Sequence, residues 1–218
     1  MKFTPFVTMF ATIFLFSLEN LVQHILHTFD LSIYFVYNNT MKTKELVLFL
    51  YELDKQGIWL IPYQAFILKF KDEKVSSVLR ELNKFVSDGI LFRASKGLYI
   101  NLNARSMPGH DEALIQLAKK LRPNDQFYLT LDARANELGL ILQVPNRLTF
   151  ATDGRSYVYK TPIGIIEFVH QNIKDISLLK DLEYDDRRGI YVASKERVLK
   201  DAKRHRRNYL LSLMEELV

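Results

Sequence analysis

Between Thr43 and Leu102 a helical period of apolar residues runs three times, stops at residue 90 and gives way to two short strand-like runs. No other feature limits the possible folds as much. Leu46, Phe49, Leu50 and Leu53 fall at i, i+3, i+4 and i+7, the stripe of an amphipathic helix. Thr43 suits its N-cap and Gln56-Gly57 its stop. Pro62 fits the first turn of a second helix reaching about Phe70, where a missing N–H costs nothing. Asp72 suits the cap of a third helix, which has Val75, Val78, Leu79, Leu82 and Val86 on its apolar side and ends at Asp88-Gly89. Ile90–Ala94 and Leu98–Leu102 then flank Ser95-Lys96-Gly97, which reads as a hairpin. Three helices and a hairpin within about sixty residues is the order of a winged helix-turn-helix.

The third helix carries the chemistry that such a module needs. With its stripe turned inward, the opposite face shows Lys74, Ser77, Arg80, Glu81 and Lys84, which reach phosphates and base edges in a major groove. Arg93 and Lys96 lie on the hairpin, where a wing meets the backbone or the minor groove. Each residue taken singly also suits a solvated surface, but the ordered set favours double-stranded DNA as the partner. Residues 41–104 hold ten basic and seven acidic residues, a modest net +3 that leaves a protein-interaction module as the alternative. The whole chain has a formal charge of +5, which favours anionic partners. Cysteine is absent, which excludes disulfides, thiolate nucleophiles and cysteine-bound zinc, and suits a reducing, cytoplasmic setting.

Residues 1–40 differ in composition, with Lys2 against Glu19 and Asp30. Phe3–Leu18 is almost continuously apolar but shorter than the roughly 20 residues that span a bilayer. It also lacks the flanks of a signal peptide. Met41-Lys42-Thr43-Lys44-Glu45 has the look of a conventional start, so Met41 reads as the initiator. A membrane-associating segment, which would make this a membrane-tethered regulator, and a packed extension stay open. His24 and His27 alone make a poor metal site.

Arg105–Gly109 reads as a linker into a second domain over 105–218. A helix is expected over Asp111–Leu121, with Leu114, Leu117, Ala118 and Leu121 on one side. Thr130 suits the cap of a short helix, Leu131–Leu138, ended by Gly139. Arg147–Thr152, Ser156–Thr161 and Ile165–His170 read as a β-meander, and Gly189–Ala193 as a further strand. The expected class is α+β, a winged helix followed by helices on a small antiparallel sheet.

Several stretches of this second half resemble the C-terminal domain of AbiEi-type antitoxins. They are Tyr128-Leu129-Thr130-Leu131, Gln143-Val144-Pro145, Thr152-Asp153-Gly154-Arg155-Ser156, Tyr159-Lys160-Thr161-Pro162-Ile163-Gly164 and Ile166-Glu167-Phe168-Val169-His170. Val192–Asp201 and Arg207-Asn208 are similar too. Asp153 stands where that family often has a second Thr, and Lys195 where it often has Pro. The resemblance covers about Thr43 to Leu211 and implies an N-terminal winged helix that represses its own promoter. It also implies a neighbouring nucleotidyltransferase-like toxin, in a type IV toxin–antitoxin or abortive-infection operon. Direct binding to that toxin is the alternative route to antitoxicity.

The last helix, from about Ser194, holds Lys195, Arg197, Lys200, Lys203, Arg204, Arg206 and Arg207 against Glu196 and Asp201. Lys200, Lys203, Arg204 and Arg207 are the candidates for a second phosphate-contacting surface, with a merely solvated helix as the alternative. Gly154-Arg155-Ser156 suits a turn that happens to carry Arg better than an anion site. Glu167 and His170, three apart on a strand, point to opposite faces, and His110-Asp111 is an ordinary sequence neighbour pair. Asp185-Asp186 and Arg187-Arg188 read as a solvated polar loop. No glycine-rich phosphate loop, zinc-protease motif or nucleophile elbow is present, so no enzyme, metal or cofactor is expected.

Overall fold

The structure, a computed structural model, describes residues 41–173 and 180–216; the expectations for residues 1–40 lie outside them. By internal contacts the chain divides into two units, 1–50 and 51–218, and the first helix of the described residues crosses that boundary. This helix, α1, is Met41–Lys55. Thr43 lies inside it and is buried instead of capping it. Leu46, Phe49 and Leu50 in the first unit and Leu53 in the second are all buried, as the period requires. Gly57, with φ 76°, closes the helix: its N–H donates to Asp54 O at 2.9 Å and that of Ile58 to Leu53 O at 2.9 Å.

The next elements are β1 (Leu60–Pro62), α2 (Tyr63–Lys69), α3 (Val75–Ser87), β2 (Leu91–Ser95) and β3 (Leu98–Asn101). The strands form an antiparallel sheet of order β1-β3-β2. Pro62 ends β1 and stands before α2, so it serves a strand end as well as a helix start. On α3 the buried residues are Val78, Leu82 and Phe85, at i, i+4 and i+7, while Val75 is exposed. The aromatic ring at 85 takes the inward position expected for Val86, because it removes more apolar surface from water. Lys74, not Asp72, precedes the first turn.

The rest of the chain forms α4 (His110–Leu121), β4 (Phe127–Thr130), α5 (Leu131–Glu137), β5 (Arg147–Thr152), β6 (Tyr157–Thr161) and β7 (Gly164–His170). After these come β8 (Leu182–Asp185), β9 (Ile190–Ala193), α6 (Lys195–Arg204) and α7 (Asn208–Glu215). The sheet is six-stranded and mixed, of order β6-β7-β5-β4-β9-β8, which corrects the expected small antiparallel meander. β5 runs parallel to β7, β4 runs parallel to β9, and β6 turns back on β7 alone. The reason lies in how apolar each strand is. β7 buries Ile166, Phe168 and Val169 on its two faces and needs a central position, whereas β6, mostly exposed, tolerates an edge.

One face of this sheet, including Leu129, Leu148, Phe150, Ile166 and Phe168, packs on α4. The same cluster takes in Trp59, Leu60, Leu98 and Ile100, so one apolar core joins the small sheet to the large one. The expected linker is tied down as well: the Arg105 and Ser106 N–H groups donate to the two oxygens of Asp54 at 3.0 and 2.9 Å. The opposite face, with Tyr128, Ala151, Val169 and Ala193, packs on the helical layer of Leu131, Ala135, Val198, Ala202, Leu210 and Met214.

The single last helix expected from sequence is two. α6 is capped by Ser194, whose side chain accepts from Arg197 N–H at 3.3 Å, and it closes as α1 does: Arg206 N–H donates to Lys203 O and Arg207 N–H to Ala202 O. The residue in the left-handed position is Arg206, with φ 53°, and it is exposed. A side chain there costs about 1–2 kcal/mol. Arg206→Gly is therefore expected to raise stability by about 1 kcal/mol after the greater freedom of glycine in the unfolded chain is discounted. Urea unfolding of the two proteins measures it, and a destabilised variant would show that the Arg206 side chain outweighs its backbone strain.

Candidate nucleic-acid interface

The solvent side of α3 is set by what the core takes. With Val78, Leu82 and Phe85 inward, Ser76, Arg80, Asn83, Lys84 and Ser87 are exposed at a spacing that lines one helical face. Lys74 stands exposed before the first turn, and Ser77 is half-buried at the margin. Arg80 has 75% of its side chain exposed, and its nearest carboxylate is Glu81 Oε1 at 3.9 Å. Ser76 and Asn83 were missed because the expected stripe used Val86. Replacing it with Phe85 rotates the exposed face and brings Asn83, whose amide matches an adenine edge, to its middle. Arg93 and Lys96 are exposed on the hairpin, and the Tyr63 N–H donates to Gly97 O at 2.8 Å, which fixes the turn against α2.

The second basic region presents less charge than its sequence holds. Lys203 and Arg204 are exposed. Lys200 is exposed but paired, with Nζ 2.6 Å from Asp181 Oδ2. Arg207 is drawn inward to Glu167, with 20% of its side chain exposed. Arg197 also turns in, with Nε 2.9 Å from the Tyr128 hydroxyl and 3.3 Å from Asp201 Oδ1. A count of cations along the sequence could not distinguish those facing solvent from those facing buried carboxylates.

Those carboxylates anchor a polar network under α6 and α7. Asp201, 1% exposed, accepts from the Tyr128 hydroxyl and from Thr130 Oγ1, each at 2.8 Å. Glu167 accepts from Thr149 Oγ1 at 3.1 Å and faces Arg147 and Arg207. The Tyr209 hydroxyl donates to the buried Asp132, whose other oxygen has no hydrogen-bond partner among the described residues. Burial raises Asp201 above the usual carboxylate range although Thr130, Tyr128 and Arg197 pull it down. Burial, with Asp132 beside it, pushes Tyr209 up to about 12. Burial holds the His205 imidazole low against the pull of Asp201.

The acid–base pairs weighed from sequence stay apart or exposed. Glu167 is buried and His170 exposed on β7, and His170 Nδ1 lies 2.8 Å from Gly154 O. His110 Nδ1 and Asp111 Oδ1 sit 2.8 Å apart in solvent. Asp185, expected to be solvated, instead accepts from Arg188 N–H at 3.0 Å and pairs with its guanidinium at 3.4 Å. Among the described residues no group of three or more His, Asp or Glu could hold a metal, and no helix is long and apolar enough to cross a membrane.

No protein-family model matches the chain, and no curated protein matches it.

Two measurements probe the network. Asp201→Ala removes the acceptor of the Tyr128 and Thr130 hydroxyl protons and the carboxylate that faces the Arg197 guanidinium, which is expected to cost about 3–5 kcal/mol in urea unfolding; a loss under about 1 kcal/mol would mean that the three donors find other partners. His205 binds its proton less readily folded than unfolded, where the usual value is 6.5. Its contribution to stability is thus whole above that pH and lost as the pH falls from it towards the lower folded value. Wild type is expected to lose more stability between pH 7 and pH 5 than His205→Gln; equal losses would place the acid sensitivity elsewhere.

Proposed function

We propose that residues 41–104 form a winged helix-turn-helix that reads DNA, and that the chain is an AbiEi-type antitoxin repressing its own operon and counteracting a nucleotidyltransferase-like toxin. The observation that carries the DNA part is the exposed face of α3, polar along its length, with Lys74 at its start and Lys84 near its end. Arg80 and Asn83 sit between them, suited to guanine and adenine edges respectively, while the two lysines suit phosphates. Arg93 and Lys96 add cations on the hairpin, where a wing meets the backbone. Lys203 and Arg204 supply a further, sequence-independent phosphate contact. The toxin part rests on the resemblance to that family of the short stretches quoted between Tyr128 and His170, and of Val192–Asp201 and Arg207-Asn208.

Repression works through mass and position: a chain seated on its own promoter blocks the polymerase. Specificity then comes from the few base-edge contacts, and most of the affinity from phosphates. The test is a titration of the full chain onto its upstream DNA and onto a scrambled duplex at two salt concentrations. Tighter binding to the first is expected, with a log–log salt slope near −0.9 per phosphate contacted. Arg80→Ala is expected to weaken the upstream duplex by about 1–3 kcal/mol and to narrow its lead over the scrambled one, while Lys84→Ala weakens both and lowers the slope by about one. Absence of binding to either duplex at low salt would remove the DNA reading and turn the search to direct contact with the toxin.

A further inference from the structure

We propose that a cleft between the α4–β4 loop and the start of β6 binds a nucleotide, with its base on Tyr157 and its phosphate on Arg155. The cleft has a volume of about 360 Å³, within the range of small-ligand sites and large enough for a mononucleotide. Its walls are two loops locked together. Arg122 donates through one guanidinium nitrogen to Asp125 Oδ2 at 2.8 Å and through the other to the Arg155 carbonyl at 2.9 Å. Gly154 lets the loops close this far, since a Cβ there would lie 2.0 Å from Asp125 Oδ2. Behind the turn, His170 N–H donates to Ser156 Oγ at 2.8 Å. With the Gly154 N–H donating to Thr152 Oγ1 at 3.1 Å, the Arg155 carbonyl held by Arg122 and the Ser156 hydroxyl held by His170, the Arg155 side chain projects from a fixed base.

The charge and the apolar surface in this cleft match two parts of one ligand. Arg122 takes up the charge of Asp125, whereas Arg155 is exposed and has no ion-pair partner among the described residues. The cleft therefore carries one cation available to an anion. Tyr157 and Tyr159 lie two apart on one face of β6, with ring centroids 4.6 Å apart. Tyr159 is half-buried against the core and Tyr157 is 57% exposed; the rings meet at a tilt of 58°, so the inner ring braces the outer one, which stays open to solvent. A simple anion would leave that ring unused, and a neutral aromatic would leave Arg155 unused. A nucleotide uses both, through stacking on tyrosine and a charge-assisted hydrogen bond to the phosphate. Asn124 and Ser156, also in the wall, add polar groups for the base and sugar.

That chemistry has two sources, a free nucleoside phosphate and an unstacked nucleotide within a single strand, and none of the residues involved belongs to the α3 face. The experiment titrates the full chain with adenosine 5′-monophosphate by calorimetry and with a fluorescein-labelled oligo(dA) by anisotropy. Arg155→Ala and Tyr157→Ala, both surface changes, are each expected to weaken binding about tenfold. Tyr157→Phe keeps the ring and is expected to retain it. Arg80→Ala leaves this binding intact, and the two cleft variants leave recognition of the upstream duplex intact, so failure of one reading is separable from failure of the other. Monophosphate binding that a longer strand does not improve assigns a free nucleotide, and a strand that binds more tightly than the monophosphate assigns single-stranded nucleic acid. Either supports the cleft. No binding of either probe at millimolar concentration, or binding that both alanine variants leave unchanged, would overturn it.

Discussion

The carboxylate of Asp201 is the group on which the helical layer of the second half depends. It sits on α6 and takes hydrogen bonds from two residues of β4, Tyr128 and Thr130, while Arg197 from its own helix closes the pair. A charge this deep is tolerable only with all three donors in place, so the position of α6 on the sheet is narrowly specified. The same contact explains the turn that follows. Thr130 gives its hydroxyl to Asp201 and does not cap α5, and the next residue, Leu131, enters the helix at φ 56° with its side chain fully buried. The backbone strain of about 1–2 kcal/mol is offset by burial of a whole leucine side chain, worth about 1.5–3 kcal/mol.

On the other face of the sheet the constraint is apolar and non-directional. Leu98 and Ile100 of the hairpin share a cluster with α4 and with Leu148, Phe150, Ile166 and Phe168. Arg93 and Lys96 are therefore held out from a backbone that is itself part of a core, so less freedom would be lost in the proposed contact with DNA. The same sheet face ends in Tyr157 and Tyr159 at the edge strand, where the core gives way to the cleft. Both proposed binding surfaces thus lie where a packed layer runs out and leaves side chains with nothing further to bury against.

Much of the local structure was legible. The helices over 41–55, 75–87 and 110–121 follow from apolar period, and the stop at Gly57 from a residue that tolerates positive φ. β1, β4 and β8, three or four residues each, were not legible: so short a run has no period to detect, and none of the three has the immediately preceding glycine that marks the equally short β3 and β9. The exposed face of α3 was legible only in part. Lys74, Arg80 and Lys84 are exposed as expected, but Ser77 and Glu81 are half-buried and Ser76 and Asn83 are exposed, because Phe85 and not Val86 takes the core position.

The sequence by itself determined most of the segments that become helices, with the stops at Gly57, Gly89 and Gly139, since these depend on neighbours within a turn or two; the break of the last helix at Arg206 was not among them. Tertiary structure alone decided the strand order, with β7 carried in beside β5 and β6 left at the edge. It alone sent Arg197 and Arg207 to buried carboxylates while Lys203 and Arg204 stayed in solvent. Asp201 and Tyr128 are 73 positions apart, and Arg207 and Glu167 are 40 apart. Whether a charge faces water or a partner at such a distance depends on how the layers close, and no local pattern of residues encodes that closure.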